Sequence, residues 1–161
     1  MAEQSEAVDF ALAAYREDGD WQVAELAHDL LSDVETLTHA LQRFPSDAGA
    51  VGMVAVDEDW FLLLRVSGDD SRLLLSDITA AGEWELAASV VEHLRLPHPE
   101  EEDDQVPAGD LDLLGDLGMP APAMGALLDD FDLYPDEMLS DVARRLGFGQ
   151  LFDDAIGLTS A

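Results

Sequence analysis

Three apolar runs in the middle of the chain constrain its fold more than any other feature. They extend from Ala50 to Val56, from Trp60 to Val66 and from Arg72 to Ile78, with three and five residues between them. Connections this short join antiparallel neighbours, because a parallel crossover needs about a dozen residues or more. The second and third runs do not alternate apolar with polar residues, as strands with one face in water do. We therefore expect an antiparallel sheet covered on both faces, by helices of the chain on one side and by its C-terminal helices or a second subunit on the other.

The segments on either side of these runs complete an α+β order. Residues 10–15 and 21–25, separated by turn-forming residues, predict a β-hairpin. Ser32 and Glu35 have the spacing of a capping box and predict a helix that ends before Pro45, and a further helix is predicted over 83–94. The predicted fold class is α+β: an antiparallel five-stranded sheet with flanking helices, in the ββαβββα order of longin-like and roadblock-like modules, followed by short C-terminal helices.

Strong helix signals mark the C-terminal third. Pro135 suits a first-turn position, and the two acids after it suit the positive end of the helix dipole. Apolar residues at helical spacing then lead to two arginines and a stop at Gly147. Two shorter helical pieces are predicted, over 111–117 with Asp110 as its cap, and from Pro122 to about Phe131. Since isolated helices below about 12 residues are marginal in water, packing must hold these pieces.

An acidic stretch separates the two halves of the chain. Residues 97–107 contain five consecutive acids bracketed by prolines, which repel one another and cannot be buried. The predicted organisation is therefore a sheet domain over 1–96, a linker over 97–107, and a helical segment over 108–161 that packs on the sheet domain or on a partner. A mimic of a phosphate backbone is the less favoured interpretation of the acidic stretch.

The charge of the chain restricts its partners. There are 36 acids against 7 basic residues, all arginine, for a net charge of −29 over 161 residues. Such a charge argues against direct nucleic-acid binding, which needs cations to neutralise phosphates. Two interpretations remain: attraction of a basic protein, or solubility in a salt-rich cell. The chain shows no signal peptide and no run of 18 apolar residues, so a cytoplasmic location is expected.

The sequence offers no recognisable catalytic motif. A zinc-dependent nucleobase deaminase needs cysteine ligands, and the chain has no cysteine. It also has no lysine for a phosphate loop and no G-x-S-x-G motif. Asp130 and Asp132 begin like a calcium loop, but Pro135 stands where glycine is required. We therefore expect no catalytic residue, no metal site and no cofactor. A metal-dependent enzyme that uses Asp129, Asp130, Asp132 or Asp136 is the last-ranked alternative.

An aromatic residue among acids is the best candidate for partner binding. Tyr134 lies in a segment whose acids could attract a basic protein while the ring provides an anchor. The candidate partner-binding residues are Asp129, Asp130, Asp132, Tyr134, Asp136 and Glu137.

Several segments together resemble a known family. They are 14–19 with Trp21, 74–81 with Trp84, 107–111, 125–130, 133–139 and 143–149. They resemble the small acidic tRNA adenosine deaminase-associated proteins, and the resemblance covers most of the chain. It implies association with a tRNA adenosine deaminase and brings no catalytic residue. We expect a non-enzymatic accessory or regulatory protein that docks on the basic RNA-binding surface of that enzyme. The alternative is a self-associating, longin-like or roadblock-like scaffold that forms a homodimer and binds an unrelated protein.

Overall fold

A single antiparallel sheet organises the protein. The computed structural model describes residues 8–26, 33–44, 49–56, 60–67, 70–95, 107–129 and 133–156. Within these ranges the strands are β1 (Val8–Glu17), β2 (Asp20–Glu25), β3 (Ala50–Val56), β4 (Trp60–Ser67), β5 (Asp70–Leu75) and β6 (Ala108–Gly109). Their order across the sheet is β2-β1-β3-β4-β5-β6, and all neighbours are antiparallel. The α+β class is confirmed, whereas the predicted count of five strands is wrong.

The strand missing from the prediction is β6. It has only two residues, which pair with Leu74 and Leu75, and the N–H of Asp110 continues the contact by donating to the C=O of Leu73 at 2.8 Å. Two residues show no side-chain periodicity, so a local pattern could not reveal this strand. The end predicted for β5 was also wrong. The strand stops at Leu75, and Ile78 begins a 3-10 helix (Ile78–Gly82).

Helices and one further short turn account for much of the remaining described chain. The α-helices are α1 (Val34–Leu41), α2 (Glu85–His93), α3 (Ala121–Leu128), α4 (Pro135–Leu146) and α5 (Gly149–Ile156), and Gly115–Leu117 forms a 3-10 turn. The predicted start and stop of α4 are confirmed, with Gly147 in a left-handed conformation at its end. Helix α5 was not predicted. None of the described helices is long and apolar enough to cross a membrane.

The cap of α1 differs from the prediction. Asp33, and not Ser32, precedes the first helical residue, and its carboxylate accepts from the N–H of Thr36 at 2.8 Å. Ser32 lies outside the described residues. The N–H of Val34 is satisfied by the Oγ of Ser89 at 2.9 Å, so the start of α1 is also fixed by α2.

Both faces of the sheet are covered by helices of the chain itself. One face packs against α1 and α2 around Leu37, Leu62 and Val90. The other face packs against α3, α4 and α5 around Leu63, Leu139 and Phe152. Covered strands explain the apolar runs without alternation that the sequence shows. Of the predicted linker, only Pro107 is described, and the division into domain, linker and segment stays a prediction.

Candidate functional site

The predicted partner-binding residues lie where α3 ends and α4 begins. Asp129 directly follows α3, and Tyr134 directly precedes α4. Asp130 and Asp132 fall outside the described residues. We refer to Tyr134, Asp136 and Glu137 as the acidic α4 surface. Tyr134 is 58% exposed, which is high for so large an apolar side chain, so the structure places its ring in solvent.

Local chemistry fixes the position of Tyr134. Pro135 is buried as the first residue of α4, where its ring presets a helical backbone angle. The carboxylate of Glu137 accepts from the N–H of Tyr134 at 3.0 Å, which satisfies a donor that the helix itself leaves unpaired. The backbone of Tyr134 is thereby held from both sides while its ring stays exposed. Because the backbone is already ordered, binding has to order only the side chain of Tyr134.

The two ends of α4 carry opposite charges. Asp136 and Glu137 occupy the first turn, and Arg144 and Arg145 occupy the last turn, an arrangement that the helix dipole favours. Both arginines bind Asp141, at 3.0 Å and 2.7 Å. They are therefore occupied at the far end of the helix and do not neutralise the acids of the first turn.

The functional groups of the acidic α4 surface are carboxylates and one aromatic ring. In the described ranges, no three His, Cys, Asp or Glu side chains are grouped so as to hold a metal ion. Acids can attract a basic protein over a distance, and an exposed tyrosine can supply apolar contact together with a hydroxyl group. This combination suits protein recognition.

A second polar site lies at one end of the sheet and was not predicted. It is a cleft of about 390 Å³ lined by Arg65, Ser67, Asp70, Arg72, Asp112 and Asp116. Arg65 and Arg72 are directly opposite each other on β4 and β5, a pairing that repels unless carboxylates compensate it. The sequence contained a signal for this site, since Arg65 interrupts the apolar run of β4 and a buried guanidinium requires acceptors.

Carboxylates compensate both arginines of this cleft. Arg65 is only 9% exposed, and it donates to both carboxylate oxygens of Asp116 and, at 3.0 Å, to the C=O of Leu113. The hydrogen bond from Arg65 lowers the pKa of Asp116, and partial desolvation opposes this shift. The Nε of Arg72 lies 3.6 Å from a carboxylate oxygen of Asp110. The ion pairs of Arg65 and Arg72 thus hold the segment after β6 against the β4–β5 hairpin.

Comparisons with known proteins place these features within one family. The model of the Rv3753c-like tRNA adenosine deaminase-associated protein family matches residues 9–149. The chain is 36% identical over 142 residues to Protein Rv3753c of Mycobacterium tuberculosis, covering 86% of this chain and 82% of that protein. No solved structure matches the chain significantly. The matched residues include the cleft, all of α4 and all of the sheet except Val8, the first residue of β1.

Proposed function

Because the chain belongs to the Rv3753c-like tRNA adenosine deaminase-associated protein family, we propose that it is a non-enzymatic accessory or regulatory protein that docks on a tRNA adenosine deaminase. The contact would be made with the basic RNA-binding surface of the enzyme. The observation that carries this proposal is the charge of −29, with 36 acids against 7 basic residues. A protein that binds tRNA must present lysines and arginines to phosphates, and an acidic protein complements the same surface.

Among the described residues, the acidic α4 surface is the part best suited to this contact. Interfaces obtain much of their binding energy from a few residues, among which tyrosine is enriched. Tyr134 is exposed and fixed in place, and Asp136 and Glu137 follow it in the first turn of α4. The acids would speed the encounter with a basic protein, and the ring would slow dissociation.

Docking on this enzyme surface has a consequence for RNA binding. The protein and the tRNA would occupy overlapping basic groups, so each would displace the other. A regulator of this kind lowers the apparent affinity of the deaminase for tRNA without taking part in the chemistry. The proposal thus predicts competition, which distinguishes it from an accessory protein bound elsewhere on the enzyme.

The test is light scattering coupled to size-exclusion chromatography, on the purified protein mixed with the deaminase of the same organism. We expect a complex at low salt that dissociates at high salt, because exposed charges are screened. Added tRNA should release the protein from the complex. No complex at low salt would refute the proposal, and a salt-insensitive dimer of the protein alone would favour the self-associating alternative.

Variants of α4 test the surface itself. Tyr134→Ala removes the ring, and Asp136→Asn with Glu137→Gln removes two charges. The glutamine keeps an oxygen that can accept from the N–H of Tyr134, so the helix start is preserved. The matched control is Glu35→Gln with Glu92→Gln, which removes two exposed charges from α1 and α2 on the opposite face of the sheet. Equal weakening by both pairs would mean that only net charge matters.

A further inference from the structure

Within the described part of the chain, the outer edge of β2 is a sheet edge whose backbone groups have no partner strand. β2 is the last strand in the order of the sheet and pairs only with β1 among the described residues. The N–H of Leu26 donates to the C=O of Ala11 at 2.9 Å. This bond shows which residues of β2 direct their backbone groups toward β1. Because hydrogen-bonded positions alternate in an antiparallel pair, Gln22 and Ala24 bond to β1. The N–H and C=O groups of Trp21, Val23 and Glu25 therefore point away from the sheet.

An exposed leucine borders this edge. Helix α5 packs on β2, and the carboxylate of Asp153 faces α4, where it accepts from the Oγ of Ser140 at 3.1 Å. Leu151 precedes Asp153 by two residues, which is a rotation of about 200° around a helix. It therefore lies on the side of α5 turned away from α4, toward the edge of the sheet. Leu151 is 42% exposed, and in the described chain it is, with Tyr134, one of two exposed large hydrophobic side chains.

The charge of the edge determines what can pair with it. Glu17, Asp18, Asp20 and Glu25 are all exposed along the β1–β2 hairpin. The guanidinium carbon of Arg16, the arginine of this hairpin, lies over the ring of Trp21, 5.5 Å from the ring centroid. Pairing of two copies through β2 would bring these acids together, and like charges on neighbouring strands destabilise a sheet. A basic strand would be stabilised at the same place.

We propose that the outer edge of β2, bordered by Leu151, binds an extended basic segment of a partner protein as an added β-strand. Backbone hydrogen bonds to Trp21, Val23 and Glu25 give the affinity, as in other cases of strand addition. Apolar side chains on one face of the segment contact Leu151, and basic side chains meet the acids of the hairpin. This surface is separate from the acidic α4 surface, so the inference does not depend on the proposed docking to a deaminase.

The first test uses two synthetic peptides. One alternates lysine and valine over about eight residues, a common strand length. The other has the same sequence with methyl groups on alternate backbone nitrogens, which removes the donors of one edge and keeps the charge. Calorimetry at low salt should show binding of the first peptide to the wild-type protein and about tenfold weaker binding of the second. Equal affinities, or no binding of the first peptide, would overturn the inference.

A pair of protein variants gives an independent test. Val23→Pro removes an outward N–H and leaves the bonds to β1 intact, since proline is tolerated on the open side of an edge strand. Val23→Thr keeps that N–H and is the matched control. The proline variant should bind the unmethylated peptide about tenfold more weakly than the threonine variant. Equal binding would show attraction by charge alone. Should Val23→Pro fail to fold, the methylated peptide still decides the question on the wild-type protein.

The outcomes for the two surfaces can be told apart. Loss of a deaminase complex on Tyr134→Ala, with peptide binding retained, supports the acidic α4 surface alone. Loss of peptide binding on Val23→Pro, without any deaminase complex in the wild type, supports the β2 edge alone.

Discussion

The indole N–H of Trp21 donates to the C=O of Leu146 at 3.0 Å, across 125 residues of chain. Trp21 belongs to the edge strand β2, and Leu146 is the last residue of α4. Carbonyls in the last turn of a helix have no partner within the helix, so this bond satisfies an otherwise unpaired carbonyl at the end of α4. The centroid of the Trp21 ring also lies 4.7 Å from that of the Phe148 ring. A single side chain thus connects the N-terminal hairpin to the C-terminal helices.

The first prediction concerns this bond. Trp21→Phe keeps an aromatic ring and removes the donor to Leu146. The matched control is Trp84→Phe, because the indole N–H of Trp84 is buried without a hydrogen-bond partner in the described structure. We expect Trp21→Phe to lower the free energy of unfolding by about 1 kcal/mol more than the control does. Urea denaturation measures both values, and equal losses would show that the bond to Leu146 contributes nothing to stability.

The second prediction is a pH dependence at the cleft. The hydrogen bond from Arg65 lowers the pKa of Asp116 in the folded protein. A lowered folded pKa stabilises the fold above the ordinary carboxyl pKa, and this stabilisation is lost as the pH falls through the lowered value. The carboxylate of Asp116 is 62% exposed, so solvent screening limits the contribution to about 1 kcal/mol. Asp116→Asn should therefore be less stable than the wild type at neutral pH.

The measurement is the free energy of unfolding as a function of pH. The difference between wild type and Asp116→Asn should shrink between about pH 5 and pH 2 as the carboxylate is protonated. The control is Asp112→Asn, at a second carboxylate lining the same cleft. A difference from the wild type that stays constant with pH would argue against the ion pair with Arg65.

Local signals explain which elements could be predicted. Helix α4 begins at Pro135 and ends before Gly147 as predicted. Proline, first-turn acids and a left-handed glycine favour a helix start or stop at their own positions, without distant contacts. The hairpin of β1 and β2 is similar, since Asp18 and Gly19 adopt the positive backbone angles of a tight turn. The covered faces of the sheet also followed from sequence, because the runs around Leu63 and Leu74 do not alternate.

Elements that depend on distant partners could not be predicted. Strand β6 exists because Gly109 comes close to Leu73 and Leu74, which no local pattern encodes. The bond between Arg65 and Asp116 joins residues 51 apart. The interruption of β4 by Arg65 signalled a missing acceptor but could not identify it among 36 acids. Helix α5 was missed because Gly147 and Gly149 suggest a stop, although Phe152 and Ala155 begin a new apolar face.

The third prediction concerns the cap of α1. The carboxylate of Asp33 accepts from the N–H of Thr36, and this bond lowers its pKa. Asp33→Ala should lower the free energy of unfolding by about 1 kcal/mol. Asp33→Asn keeps an acceptor and should cost only a few tenths of that value, about 0.3 kcal/mol. Thermal denaturation followed by circular dichroism ranks the three proteins. Equal effects of alanine and asparagine would mean that Asp33 does not act as the cap.

The fourth prediction tests strand β6 through its glycine. Gly109 has a φ of +117°, and a Cβ atom added there would lie 2.1 Å from the C=O oxygen of Leu73. Gly109→Ala must therefore distort the backbone or break the pairing with β5, and we expect a loss of at least about 2 kcal/mol in the free energy of unfolding. Gly82 is the matched control, since a Cβ atom there meets nothing within 4 Å. Gly82→Ala should change stability by less than about 1 kcal/mol. The expected gap between the two variants comes from the close approach of β6 to β5, so similar urea midpoints would show that Gly109 does not make this approach in solution.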